Sequence, residues 1–306
     1  MRTIPLGKSG LTVPAVAVGC MRINRLSDGD AEKFIKTALD AGANFFDHAD
    51  IYGGGNCETI FSRSINMNAG LRAKMIIQSK CGIVPGRMFD FSREHIISSV
   101  EGSLKRLQTE YLDVLLLHRP DALVEPDEVG EAFDRLKASG KVRHFGVSNQ
   151  NPMQIQLLQR SLKQPIVANQ LQLSIPHAGL VAEGLHVNMN DDTAVNHNGS
   201  ALDFCRLNEI TVQPWSPFQY GMFAGVFIGS DKYPKLNAVM DQLAAKYGVT
   251  NTTIAMAWLL RHPARFQPVT GTMNPGRLLD CVKAADITLE REEWYALLMA
   301  AGYTLP

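Results

Sequence analysis

Four side chains of complementary chemistry stand at or just beyond the points where short apolar runs of this sequence give out. They are Asp47 after NFF, Tyr52 five residues later, Lys80 after MIIQS and His118 after VLLL. A phenol with an ordinary pKa near ~10 is a weak acid at neutral pH, but a neighbouring ammonium favours the phenolate and lowers that value toward the useful range. Lys80 can supply the charge. An ammonium taken out of water needs a carboxylate, and Asp47 is the nearest acid in this arrangement; His118 would orient a carbonyl oxygen beside the phenol. Such a quartet delivers a proton to an oxygen but carries no reductant, so a reduction calls for a hydride carrier such as a nicotinamide. Other run ends suit one: Asn149 and Gln170 carry amides fit for a carboxamide, and Trp215 offers a flat face for a ring.

These side chains converge only if the runs that carry them lie side by side. Candidate strands fall at residues 16–19, 44–47, 75–80, 114–118, 144–148, 166–170, 210–215 and 267–270, separated by stretches of helical periodicity. The helices carry start and stop signals: Ser27 to Asp30 before the stripe Ala31, Phe34, Ile35 and Ala38, then Gly42; Ser92 before Ile96, Val100 and Leu104; Gly140 after Val129, Phe133 and Leu136; Asn151 followed by Pro152. Residues 3–5 and 11–14 flank a Gly7 to Gly10 turn and read as a short hairpin ahead of the main body. Eight such units without a linker predict one closed α/β barrel, a (β/α)8 TIM barrel, as a single domain over residues 1–306. The rival, an open doubly wound sheet, wants a GxGxxG turn after its first strand, and none occurs; Gly53-Gly54-Gly55 lacks the final glycine. A barrel builds its site at the C-terminal ends of the strands, where the polar residues lie.

The bulk composition excludes several partners. Thirty basic residues balance thirty acidic ones with no long run of either sign, so nothing marks a nucleic-acid or anionic-membrane surface and a small carbonyl compound is the expected partner. Five scattered cysteines without a CxxC pair suit a reducing compartment, and the absence of a signal peptide or membrane span points to the cytoplasm. The chain is expected to act as a monomer or weak oligomer. Cys20 and Cys81 read as packing, His144 as structural, Trp258 and Trp294 as core, and Glu58 as a complement to a helix dipole. The polar stretch 186–200 is either a substrate-contacting loop or a disordered insertion.

Six motifs in order, GCMRI (19–23), FFDHADIYGG (45–54), SKCGI (79–83), LDVLLLHRPD (112–121), SGKVRHFGVSN (139–149) and ANQ (168–170), resemble the aldo-keto reductase superfamily over nearly the whole chain, and within it a group of bacterial oxidoreductases. The resemblance implies a catalytic tetrad of Asp47, Tyr52, Lys80 and His118, with Tyr52 as general acid and NADPH (NADP+) as cofactor. It implies that Ser148, Asn149 and Gln170 hold the carboxamide, that Trp215 stacks on the ring, and that the segment 216–225, with Ser216, Phe218 and Gly221, wraps the pyrophosphate. Met21 and Arg22 would touch cofactor or substrate. The adenosine 2′-phosphate would lie on GTMNPGRLLDC (271–281), through Gly271, Thr272 and Arg277.

That last segment departs from the common pattern. Many relatives have Lys-Ser where Gly271-Thr272 stands and Glu-Asn where Asp280-Cys281 stands, so one cationic contact is absent. Arg277 remains, with backbone amides of the helix from Pro275, and keeps NADPH ahead of NADH. His48 stands where Thr or Ser is frequent, and Trp215 where Tyr is. Two other readings compete: a metal-dependent barrel hydrolase, for which the sequence lacks HxH and HExxH and places the Lys80 charge beside any metal, and a non-catalytic NADPH-binding regulatory subunit, against which the intact tetrad argues.

Overall fold

Short apolar strands alternating with amphipathic helices bury both faces of a sheet when the sheet is parallel and covered on the outside. The structure, a computed structural model, describes residues 1–190 and 192–305. It opens with an antiparallel hairpin, β1 (Thr3–Pro5) paired with β2 (Thr12–Pro14). There follow β3 (Ala17–Gly19), β4 (Phe45–Asp47), β5 (Ile76–Cys81), a small hairpin β6 (Ile83–Val84) and β7 (Met88–Phe89), then β8 (Leu112–Leu117), β9 (Val142–Ser148), β10 (Ile166–Gln172), β11 (Thr211–Trp215) and β12 (Val269–Thr270). Eight of these, in the order β12-β3-β4-β5-β8-β9-β10-β11, form one all-parallel sheet. The N–H of Gln267 donates to the carbonyl of Val212 at 3.1 Å, drawing the two edges into a nearly closed barrel.

All eight strands stand where the sequence pattern puts them, with shifts at the ends that have local causes. β9 starts at Val142 because Val142 pairs with Leu112, and β10 runs on to Gln172, opposite Trp215. β12 is shorter than 267–270, since Pro268 has no N–H to add to a ladder. The expected caps form: Ser27, Ser92 and Asn151 accept from the backbone N–H groups of Asp30, His95 and Gln154. Gly42 and Gly140, at φ 74° and 75°, end their helices in the left-handed region that favours glycine. The buried apolar side chains make one contiguous cluster between barrel and helices. Within it Trp258 and Trp294 stack at 4.9 Å, each indole N–H donating to the other's backbone carbonyl.

One buried ion cluster sets the register of the strand that carries Lys80. Asp113, on β8, accepts from Arg72 Nη2 at 2.7 Å, from the backbone N–H of Ile77 on β5 at 2.9 Å, and from Arg143 Nη1 at 3.2 Å. The Arg72 and Arg143 guanidinium groups lie 3.8 and 3.6 Å from the Tyr111 ring centre. Removing the carboxylate strands the buried Arg72 charge and the Ile77 amide together. Asp113→Ala should therefore lower the unfolding free energy by about 3–5 kcal/mol, measured by urea denaturation; a loss under about 1 kcal/mol would show that the cluster does not hold the strands.

Candidate active site

Asp47, Tyr52, Lys80 and His118 come together at the C-terminal end of the barrel. Side chains alternate along a strand, so Gln78 and Lys80 of β5 face the interior while Ser79 faces the helices. Lys80 is completely buried. Its three N–H groups meet three acceptors: Asp47 Oδ2 at 2.8 Å, the His48 carbonyl at 2.7 Å and Tyr52 Oη at 3.1 Å. Burial works against the ammonium, but the Asp47 carboxylate and then the Tyr52 oxygen outweigh it and hold its pKa above the ordinary value. The Tyr52 phenol differs from the expectation. Burial pushes its pKa up more than Lys80 pulls it down, with Asp47 adding to the upward push, so the net shift is a rise.

His118 follows β8, its ring edge-on to Tyr52 at 5.8 Å. Burial, then the charges of Lys80 and Arg119, hold its pKa well below the usual value, so the imidazole is neutral at physiological pH. Its Nδ1 is buried and has no partner among the described residues. His48 is pushed down to about 3 by burial and by Lys80. Cys20 and Cys81 are buried thiols whose pKa burial drives well up, which fits packing; all five cysteines are free.

Beneath Asp47 runs a chain of buried amides that the sequence reading did not identify. Gln78 Nε2 donates to Asp47 Oδ1 at 2.6 Å and to Gln213 Oε1 at 3.0 Å; Gln170 Nε2 reaches the same two oxygens at 3.1 and 3.3 Å. Gln213 Nε2 donates to Gln267 Oε1 at 2.8 Å, and Gln267 Nε2 to the Pro14 carbonyl at 2.8 Å. Both ends of the chain are obligate acceptors, which sets the direction of every amide in it. A signal was present: glutamines at inward positions of strands that should be apolar on both faces.

A cleft of about 1110 Å³ opens over this centre. Asp47, Tyr52, His118, Ser148, Asn149, Gln170 and Trp215 line its inner part; Met21, Arg22, Ser216, Phe218, Gly271, Thr272 and Arg277 line the rest. Gly221 does not, and neither does any described residue of 186–200; Val187, Asn196 and Ser200 line a separate cavity of about 440 Å³. Asn149 and Trp215 are already engaged with each other, the indole N–H donating to Asn149 Oδ1 at 3.1 Å, while Asn149 Nδ2 donates to Ser148 Oγ at 2.7 Å. At the start of the helix Pro275–Lys283, Asn274 Oδ1 accepts from the Arg277 N–H at 3.0 Å. Arg119 also lines the cleft, half-buried, 5.6 Å from the Trp215 ring centre, and without an ion pair among the described residues; its place beside His118 was the available signal.

The chain that carries this site has known relatives. The profile of the Aldo/keto reductase family matches residues 15–298. The chain belongs to that family. It is 36% identical to the oxidoreductase YdhF of Escherichia coli, covering 89% of this chain and 88% of that protein, and 35% identical to the 6-dehydroglucose reductase of Agrobacterium fabrum, covering 95% of each. It also matches the crystal structure of an aldo/keto reductase from Klebsiella pneumoniae in complex with NADP and acetate, with a TM-score of 0.77, 25% identity, and coverage of 100% and 96%. Among the described residues of this aldo/keto reductase, no helix is long and apolar enough to cross a membrane. Nor is a group of three or more His, Cys, Asp or Glu gathered to hold a metal.

Behind the site of this family member lies a second acidic pair. Glu58 lies in the first turn of its helix, Asn56–Ser64, as a complement to the helix dipole would, and it is also fully buried, accepting from Ser79 Oγ at 2.6 Å and from Arg106 Nε at 2.8 Å. Burial, and then the Glu58 charge, push nearby Asp50 up to about 6. A carboxyl pKa raised on folding means that the folded state holds the proton more tightly. Stability from this group is therefore greatest at low pH and is lost as pH rises from the unfolded value through about 6. By linkage the loss is on the order of 2–3 kcal/mol. Asp50→Asn should flatten the dependence, giving similar denaturant midpoints at pH 5 and pH 7.5 where the wild type falls; an unchanged fall in the variant would assign it to another group.

Proposed function

We propose that the protein is an NADPH-dependent carbonyl reductase in which Tyr52 is the general acid. The observation that carries this reading is the position of Tyr52 Oη, 3.1 Å from a fully buried ammonium and on the wall of the large cleft. An ammonium can only donate, so the phenol oxygen accepts from Lys80 and its own proton is free to point at a substrate oxygen. The neutral His118 ring supplies a second donor for that oxygen. As the proton leaves Tyr52, the charge that develops on the phenol oxygen falls beside Lys80, whose ammonium is itself held by Asp47. The raised pKa of Tyr52 agrees with the role: an alkoxide is far more basic than a phenolate, and a raised value keeps the phenol loaded with its proton.

The cleft fits a dinucleotide in size and in donor set. Bound NADPH supplies the hydride. Trp215 would stack on its ring, Gln170 Oε1 would meet the carboxamide, and Asn149, giving up its Trp215 hydrogen bond, would join together with Ser148. Ser216 and Phe218 would flank the pyrophosphate, with Gly221 shaping their loop, and Met21 would line the substrate side. Gly271, Thr272 and Arg277 would face the adenosine phosphate. The 6-dehydroglucose reductases among the relatives make 6-dehydroglucose the first compound to test, ahead of a panel of aldehydes and dicarbonyls.

Tyr52→Phe should reduce kcat by roughly 10²- to 10⁴-fold while leaving the NADPH dissociation constant nearly unchanged, as read by cofactor fluorescence and NADPH oxidation. Wild-type turnover in the variant would refute the assignment, whereas a wild-type protein that binds NADPH and reduces nothing would favour the regulatory-subunit reading. Arg277→Ala should weaken NADPH binding far more than NADH binding; equal losses would show that Arg277 does not read the phosphate.

A further inference from the structure

The space that a side chain at position 271 would fill is occupied by another residue. A Cβ built on Gly271 would lie 2.7 Å from Arg22 Nη1, inside van der Waals contact. That same nitrogen donates to the Gly271 carbonyl at 3.1 Å. Gly271 is not among the residues with positive φ, so its backbone conformation does not demand a glycine. The demand is for space. A guanidinium carried by the segment after β3 crosses to the segment after β12 and rests on its backbone.

Arg22 is half-buried and forms no ion pair among the described residues. Burial, then the charge of Arg25, press on its guanidinium and lower its pKa. Arg22, Arg25, Lys33 and Arg277 all line the large cleft; the Asp30 carboxylate lines it too, accepting from Ser27 Oγ at 2.6 Å and pairing with none of these cations. Cations gathered around a cleft, one of them opposed by its neighbour, are neutralised by an anion from outside the chain.

We propose that Arg22 is a phosphate-binding residue of the cofactor site, and that it takes the place of a side chain at position 271, which must stay glycine to admit it. This rests on the NADPH reading. The ligand chemistry is a phosphate of the dinucleotide, either the 2′-phosphate or the pyrophosphate. It accounts for the cation missing from the local sequence: the charge is present, delivered from a residue 249 positions away.

The test is titration of NADPH and NADH into the purified protein, read by nicotinamide fluorescence, with thermal melts confirming the fold. Arg22→Met keeps the aliphatic stem and should weaken NADPH binding by about tenfold or more. A loss confined to NADPH identifies the 2′-phosphate, and an equal loss for NADH identifies the pyrophosphate; either supports the proposal. Gly271→Ala adds no charge but displaces the guanidinium, and should also weaken NADPH binding. The double variant Arg22→Met with Gly271→Lys moves the cation to the other segment and should recover much of the affinity. NADPH affinity within about twofold of wild type in Arg22→Met would overturn the phosphate contact, and wild-type affinity in Gly271→Ala would overturn the steric coupling. A wild-type protein that binds no NADPH would instead sink the cofactor reading on which the proposal stands.

Discussion

An ammonium sealed inside a barrel is the constraint around which the rest of this structure is arranged. Removing such an ion from water costs several kcal/mol unless each of its donors finds an acceptor in good geometry. Lys80 has three donors, and Asp47, the His48 carbonyl and Tyr52 supply three acceptors at 2.7 to 3.1 Å. No donor is left over for a ligand. Whatever Lys80 does for a reaction it does through Tyr52, and this explains why a residue with no access to the cleft belongs to the site.

The carboxylate that balances Lys80 has to be held in turn. Asp47 turns one oxygen to the ammonium and the other to the amides of Gln78 and Gln170. Those amides are oriented by Gln213, and Gln213 by Gln267, whose own nitrogen is bound at the Pro14 carbonyl. A barrel interior filled with branched apolar residues would be easier to stabilise, since every amide placed there must be satisfied. The glutamine chain meets that requirement along its length. It ties the orientation of Asp47 to the far end of the barrel.

The two ends of the cleft follow opposite electrostatic rules. At the inner end the buried ammonium is paired and the imidazoles of His48 and His118 are neutral, so little net charge remains. Toward the outer end Arg22, Arg25 and Arg277 line the wall, and none of them forms an ion pair among the described residues. An uncharged reacting group suits the first environment and a phosphate suits the second. The polarity of the cleft thus separates an uncharged inner end from an outer end rich in arginine before any single contact is considered.

Periodicity and end signals sufficed for the eight strands, the hairpin and the helix caps at Ser27, Ser92 and Asn151, because these depend on interactions between residues close in sequence. Asp47, Lys80 and His118 stood out for a related reason, since a polar residue at the end of a buried strand faces the open end of a barrel, and Tyr52 stood out by its five-residue spacing from Asp47. The direction of the Tyr52 shift was not legible, since desolvation depends on every atom that excludes water from the phenol. Nor was the burial of Glu58, which hinges on Ser79 and Arg106 from two other elements. Arg22 and Gly271 show the difference most clearly. The sequence marks each position separately, and only the pairing of β3 with β12 brings the guanidinium of one into the space left by the other.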